Sequence, residues 1–440
     1  MENQKLSYPQ TKERLNELAW DIFSPVSKRY CISCFFVSGT GKRVLIKFLI
    51  REKEILKSIF GNAIEKTLFI YIDPDEILDI TNEAYLQLIL QNLIIGMKDK
   101  QQLPVEKEEG ISNPLLIIKK NVEKLLNDGW HVVFLLNDFE FTLQLSPSIF
   151  RNLESILSLK KNQISYIFLS TTNLLEQNTL DKFHNLKYAI NRVVYYYPML
   201  DDSEIEFTLS AIEQKLKIKL SNDLKKVIKE LCGGHAQLLK YTTTILKEAG
   251  EPYLSNPKKA KDYIFEYEQI KSVCNDIWNY FNDLEKEILI NVARTNRIPS
   301  ELLPEATFLL KTNTIIPSAK NSDNYSLFGE LFLNFIRRQI PAEKLSYDSK
   351  TNQIFFGTIS SSDIFTLQEF KMMSHFLQNE GKVISRDEVG QVIWGRNYVD
   401  QYSDYSIDKL ISSIRKKLDS INFPSYKLVT LKKRGFSFSN

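Results

Sequence analysis

The sequence predicts an α/β protein built on a parallel sheet, and three observations carry that expectation. Apolar runs of strand length recur at Ile32–Val37, Leu68–Ile72, His131–Leu136 and Ile164–Leu169. The segments between them carry apolar residues at helical spacing, as in Val44, Leu45, Phe48 and Leu49. Each run stops at turn or polar residues, the first at Ser38-Gly39-Thr40-Gly41. Strands alternating with helices imply a sheet covered on both faces, which places ligands at the carboxyl ends of the strands.

The chain has 440 residues, enough for three or more compact domains. Its 43% apolar and 25% charged content is that of ordinary globular proteins and excludes a disordered chain. It lacks an apolar run of about eighteen residues, and MENQKLSYPQ lacks the layout of a secretory signal, so a cytoplasmic protein without a membrane role is expected. Cys31, Cys34, Cys232 and Cys274 are too few and scattered for a disulfide framework. Cys31-x-x-Cys34 has no second close pair, so buried thiols are expected and no metal site. The net charge of +3 resides wholly in residues 341–440, with 14 Lys and Arg against 11 Asp and Glu. Between Lys409 and Arg434 eight bases face one acid, Asp419, a balance suited to a phosphate backbone.

Taken in order, Thr11 to Phe23 reads as an amphipathic lead-in helix closed by Ser24-Pro25. Ile32 to Val37 then leads into Gly39-Thr40-Gly41-Lys42. Glycines let a backbone wrap a phosphate, the following helix points its first N–H groups at it, and Lys42 adds a point charge. The full pattern G-x-x-x-x-G-K-[ST] asks for glycine at Phe36 and a hydroxyl at Arg43. The hydroxyl would hold Mg²⁺, and arginine has no acceptor atom with which to replace it.

Leu68 to Ile72 ends at Asp73-Pro74, and helices follow at Ala84 to Met97 and through Leu126. His131 to Leu136 runs into Asn137-Asp138-Phe139-Glu140, which resembles the position at which phosphate-loop ATPases end a buried strand in two acids. Two registers stay open: Asn137 and Asp138 as the pair, or Asp138 on the metal with Glu140 polarising water. Ile164 to Leu169 ends in polar residues of which Asn173 is placed to reach a terminal phosphate.

With these motifs in order, residues 10–250 resemble the AAA+/STAND class of phosphate-loop ATPases, in particular the bacterial and archaeal group with an "LLLDEFE"-like second motif. Tyr195 to Leu200 is similar to the junction opening that family's helical lid, and Leu231-Cys232-Gly233-Gly234-His235-Ala236-Gln237-Leu238-Leu239 to its "GGhPxLL" signature. The resemblance implies ATP or ADP as ligand, with Mg²⁺ left open, and a site made of Gly39, Thr40, Gly41, Lys42, Arg43, Asn137, Asp138 and Asn173. Asp138 and Glu140 would be catalytic only if the core is active. Residues 262–340, with Ile315 to Pro317 and Tyr325 to Phe328 as a two-stranded wing, resemble the winged helix that follows the lid, or form a helical spacer.

In residues 343–440, Thr366 and Glu369 form a capping box before a helix. Gly381 to Gly395, a helix from Ser406 to Leu418, and Lys427 to Phe438 follow. This order resembles the OmpR/PhoB-type winged helix of response-regulator transcription factors. The resemblance implies that Ser406 to Leu418 enters the major groove and that the final hairpin grips the minor groove. Tyr405, Lys409, Ser412, Ser413, Arg415, Lys416, Thr430, Lys432, Lys433 and Arg434 are the expected contacts to duplex DNA.

The expected organisation is a core at 1–197, a lid at 198–261, a first winged helix or spacer at 262–340 and the OmpR/PhoB-type winged helix at 341–440. The expected function is a signal-responsive DNA-binding regulator with a hydrolysis-poor nucleotide core, acting with a protein partner or by self-association. Two alternatives stand beside it: an active ATPase that remodels or loads a partner on DNA, and an interaction subunit of a larger bacterial assembly such as a defence or mobile-element complex.

Overall fold

The computed structural model describes residues 11–99, 113–160, 162–318, 324–339, 344–357, 359–395, 403–421, 423–432 and 434–440. They form two compact units, Met1–Ile336 and Arg337–Asn440. Among the described residues no helix is long and apolar enough to cross a membrane.

The first unit is organised by five parallel strands: β1 (Ile32–Phe35), β2 (Thr67–Ile72), β3 (His131–Leu136), β4 (Ile164–Ser170) and β5 (Val194–Tyr196). Their order across the sheet is β2-β3-β4-β1-β5. Ile32 pairs with Ile167, Val132 with Ile164 and Ile72 with Leu136, so the carboxyl ends of β1, β3 and β4 lie together. Every residue of β1, β3 and β4 is buried, as a sheet covered on both faces requires. Leu18, Phe23, Leu45 and Leu49 pack against Phe36, Val133 and Leu169 on one of those faces.

The lead-in helix runs Lys12–Ser27 and passes through Pro25 instead of ending there. Proline lacks an N–H and its ring crowds the carbonyl four residues back, yet here it stands in the last turn, where the N–H groups of Lys28 and Tyr30 donate to the Pro25 carbonyl at 3.1 and 3.0 Å. All four cysteines are free and buried. Burial pushes the Cys31 thiol up to about 11, so this side chain acts as a small apolar residue of the sheet.

Helices Asp202–Leu216, Asn222–Cys232, Ala236–Ala249 and Pro257–Phe265 follow the sheet. The chain turns at Gly233 and Gly234 because nothing larger fits. A Cβ on Gly234 would lie 2.1 Å from the Leu200 carbonyl oxygen, and one on Gly233 (φ +53°) would lie 1.8 Å from that of Phe328. Helices Glu268–Asn279 and Asp283–Thr295, the antiparallel pair Ile315–Pro317 and Tyr325–Leu327, and helix Glu330–Gln339 then give the order of a winged helix.

The second unit opens with a three-stranded antiparallel sheet, Leu345–Asp348, Gln353–Phe356 and Ile359–Ser360. Helices Leu367–Gln378, Arg386–Trp394 and Asp404–Ser420 follow, with Val383–Ile384 and the hairpin Leu428–Leu431 to Gly435–Phe438 in a second small sheet. Thr366 and Glu369 form the capping box in full. Ile407, Ile411, Ile414 and Leu418 form the buried stripe of the last helix and pack with Met372, Phe376 and Phe436.

Candidate functional site

The turn after β1 has a cradle's backbone: Gly39 and Gly41 stand at φ +81° and +89°, left-handed values that side chains rarely adopt. Thr40 fixes the turn by donating its hydroxyl to the Val37 carbonyl at 2.8 Å. Helix Lys42–Leu49 starts at once, so its free N–H groups lie beside the glycines. The lid presses on the loop from its other side. The Gln237 N–H donates to the Gly39 carbonyl at 3.2 Å, and a Cβ on Gly39 would lie 2.3 Å from Gln237 Oε1. Between the loop and the lid helices opens a cleft of about 1000 Å³, lined by Thr208 and Ile212 from one helix and by Gln237, Tyr241 and Thr244 from another. Its volume stands at the upper end of small-ligand pockets.

His235 ties the lid to the loop. Its Nδ1 accepts from the Leu238 N–H at 3.2 Å and its Nε2 lies 2.7 Å from the Ser38 carbonyl oxygen. Only the neutral ring with its proton on Nε2 satisfies both. Burial pushes its pKa down to about 4 against the smaller opposing effect of the Ser38 bond. The ring stacks on Phe328 at 5.7 Å between centroids.

The strand ends bring together a network of charges. Lys42 Nζ contacts Asp138 Oδ1, and the Asn137 amide donates to Asp138 Oδ2 at 2.6 Å and to Asp73 Oδ1 at 3.3 Å. Arg43 donates to Asp75 and, at 3.2 Å, to Asp73, and lies 3.8 Å from Asp138. The Asp75 bond, foremost, holds the guanidinium above its ordinary value. Lys47 is 3.6 Å from Asp73. Asp138 takes a left-handed backbone (φ 43°), which turns its carboxylate from the end of β3 toward Lys42.

Carboxylate oxygens of Asp73, Asp75 and Asp138 lie within 4.8 Å of one another, the spacing of a divalent-ion site. The residues do not fit such an ion, because the terminal nitrogen of Arg43 is within 3.8 Å of an oxygen from each of the three. Mg²⁺ demands oxygen ligands in a near-octahedral shell at about 2.0–2.1 Å, and a guanidinium offers only donors and a charge of the same sign.

Glu140 is directed elsewhere: its Oε1 accepts from the Thr171 N–H at 2.9 Å and from the Thr171 hydroxyl, while its Oε2 is buried without a hydrogen-bond partner among the described residues. Asn173 Oδ1 accepts from the Leu175 N–H at 3.2 Å, and the residue sits beside Glu285 of helix Asp283–Thr295. Burial raises the Glu285 carboxyl to about 7 against opposing bonds from Asn282 and Asn173. The expected set therefore divides. Gly39, Thr40 and Gly41 shape the loop, Lys42, Arg43, Asn137 and Asp138 meet in one network, and Asn173 is bonded outside that network, to the Leu175 N–H and to Glu285. Sequence reasoning missed Asp73, Asp75, Lys47, Gln237 and the part played by His235. The signal for the acids was the rule already used for β3, since Asp73-Pro74-Asp75 also follows the carboxyl end of a parallel strand.

In the second unit Lys409, Ser412, Lys416, Lys432 and Arg434 are exposed, and Tyr405 is 76% exposed. Three expected contacts are engaged inside the unit. Ser413 donates to Glu369 Oε1. Burial would raise that carboxyl, but bonds from Ser413 and Thr366 outweigh it and hold it below its ordinary value. Arg415 donates to the Leu428 carbonyl at 3.0 and 2.6 Å and to the Thr430 hydroxyl at 2.8 Å. Arg415 and Thr430 thus fasten the hairpin to the last helix. Lys433 lies outside the described residues.

The strand order, the glycine loop after β1 and the acid after β3 define a phosphate-loop ATPase fold with a lid, and the second unit is an OmpR/PhoB-type winged helix. Residues 364–438 match the family described as "Transcriptional regulatory protein, C terminal". Over 101 residues the chain is 28% identical to the response regulator SaeR of Staphylococcus aureus, an alignment covering 22% of this chain and 43% of that protein. The chain thus spans less than half the length of the curated relative it matches. The Walker-type ATPase PABY2304 of Pyrococcus abyssi has a similar fold, at a TM-score of 0.52 and 12% identity over 76% of this chain and 98% of that one. The Aeropyrum pernix ORC2 protein, in its ADPNP–ADP complexes, aligns over 77% of this chain and 97% of that one at 12% identity and a TM-score of 0.41, a more distant likeness.

Proposed function

We propose that this chain is a DNA-binding regulator of the cytoplasm, in which a phosphate-loop core binds ATP or ADP without efficient turnover and the C-terminal winged helix binds duplex DNA. Signal input, self-association or a protein partner, and domain divisions near residues 197, 261 and 340 belong to the same reading. The observation that carries it is the charge of the last helix and hairpin. Eight bases stand against one acid between residues 409 and 434, and Lys409, Lys416, Lys432 and Arg434 are exposed on a scaffold of the transcriptional-regulator family. Arg43 at the hydroxyl position and Asn137 at the first acid position support weak hydrolysis, since arginine offers a catalytic ion no oxygen and asparagine only an uncharged one.

The experiment is equilibrium binding of a fluorescent duplex across a range of salt. Four exposed cations predict a slope of log K against log salt of about −4, falling to about −2 in K432A/R434A, at about 0.9 per phosphate contact. Absence of binding at low salt, or an unchanged slope in the double variant, refutes the DNA reading. Phosphate release from ATP with Mg²⁺ should equal that of K42A, and a release that K42A abolishes refutes weak turnover.

A further inference from the structure

Resting on the nucleotide-binding reading, the geometry points to Arg43 as a built-in replacement for the divalent ion, so that this core takes up ATP or ADP without metal. Three strand ends supply the argument. Asp73 and Asp75 follow β2, Asp138 follows β3, and Arg43 is the second residue of the helix after the β1 loop. One guanidinium nitrogen of Arg43 reaches all three carboxylates, at 3.2 Å from Asp73, in contact with Asp75 and 3.8 Å from Asp138. It therefore occupies the space in which a cation shared by these acids would sit.

The charges also balance without an ion. Lys42, Arg43 and Lys47 stand against Asp73, Asp75 and Asp138, and the Asn137 amide donates into the same cluster. A guanidinium stays charged at every physiological pH and carries no acceptor, so it cannot join an ion's shell. It does present donors suited to phosphate oxygens, with a charge that no chelator removes. Arg43 is anchored by acids outside the glycine loop while being the residue next to Lys42, so a polyphosphate held by the loop meets a cation already in place.

The test has two arms on the full chain. In the first, Mn²⁺ is titrated without nucleotide and free ion is followed by electron paramagnetic resonance. The wild type should show no saturable uptake, R43S should bind a single ion, and R43S/D138N should lose it. Saturable Mn²⁺ uptake by the wild type that D75N abolishes overturns the inference, and this wild-type measurement stands even if R43S fails to fold. In the second arm, ATP affinity is compared with Mg²⁺ and with EDTA. The wild type should differ by less than about threefold, whereas a loss of about tenfold or more in EDTA overturns the inference. If ATP binds under neither condition, metal-free uptake is overturned together with the nucleotide reading, and the Mn²⁺ arm alone then decides whether Arg43 excludes the ion.

Discussion

Replacing His235 by glutamine should remove a pH dependence of stability from the first unit. The buried ring holds its two bonds only while neutral, with Nε2–H to Ser38 and Nδ1 accepting from Leu238. An imidazolium would be a donor at both nitrogens and would leave the Leu238 N–H facing a proton. Its pKa falls from 6.5 to about 4 on folding, because burial disfavours the charged form. The sign follows directly. Between pH 6.5 and 4 the unfolded chain binds a proton on this ring and the folded chain does not. Its contribution is therefore complete above pH 6.5 and is lost as the pH falls toward 4. A gap of about 2.5 units corresponds to about 3 kcal/mol at the acid end. Glu285 acts in the opposite sense, since its folded carboxyl takes a proton already near pH 7, and it is common to both proteins. Urea unfolding of wild type and H235Q at several pH values isolates the histidine as the difference between two curves. That difference should change by about 3 kcal/mol between pH 6.5 and 4, with H235Q the less sensitive. Parallel curves through the window would refute the assignment of a neutral, load-carrying imidazole.

Two further outcomes concern local packing. Arg415→Ala strips the Leu428 carbonyl and Thr430 hydroxyl of their donor, so the C-terminal unit should lose about 1–3 kcal/mol while the salt slope of DNA binding stays as in the wild type. Thermal melting and the anisotropy titration separate that result from a phosphate-contacting arginine, whose loss would lower the slope by about 1. Gly234→Ala drives a methyl to 2.1 Å from the Leu200 carbonyl and 2.7 Å from its nitrogen, backbone atoms that cannot swing away. A loss of about 3 kcal/mol in the unfolding of the first unit is expected, and a neutral substitution would show that the lid does not seat on this junction.

Much of the architecture was legible because the relevant signals are local. The runs that became β1 to β4 are continuous and apolar, each closed by turn residues, and the Thr366 capping box needs only four positions. β5 was missed as a strand: it has three half-buried residues, too few for periodicity to register. Pro25 misled at the other extreme, since a strong local stop was offset by carbonyls that later residues satisfy. On the last helix, spacing assigned the buried stripe correctly but could not say what a long or polar side chain at its border would reach. Ser413 met Glu369, 44 positions away, and Arg415 met Leu428 across a turn.

The candidate site follows the same division, and more sharply. The glycines and Lys42 form a contiguous motif whose meaning depends on its own backbone, so the loop was readable from its sequence. What surrounds Lys42 was not, because it is assembled from the ends of three strands and from a lid about two hundred residues downstream. The substitution of arginine for a hydroxyl reads in sequence as a loss of metal chemistry, which is a statement about one position. Only the fold shows that Asp73 and Asp75 converge on that arginine from the end of β2, with β3 and β4 lying between β2 and β1 in the sheet, turning the position from a missing ligand into an occupied one. The same convergence suits an asparagine in a buried place, its amide oxygen without a partner among the described residues: the Asn137 nitrogen bridges Asp73 and Asp138, and a second carboxylate there would add a fourth negative charge to three cations.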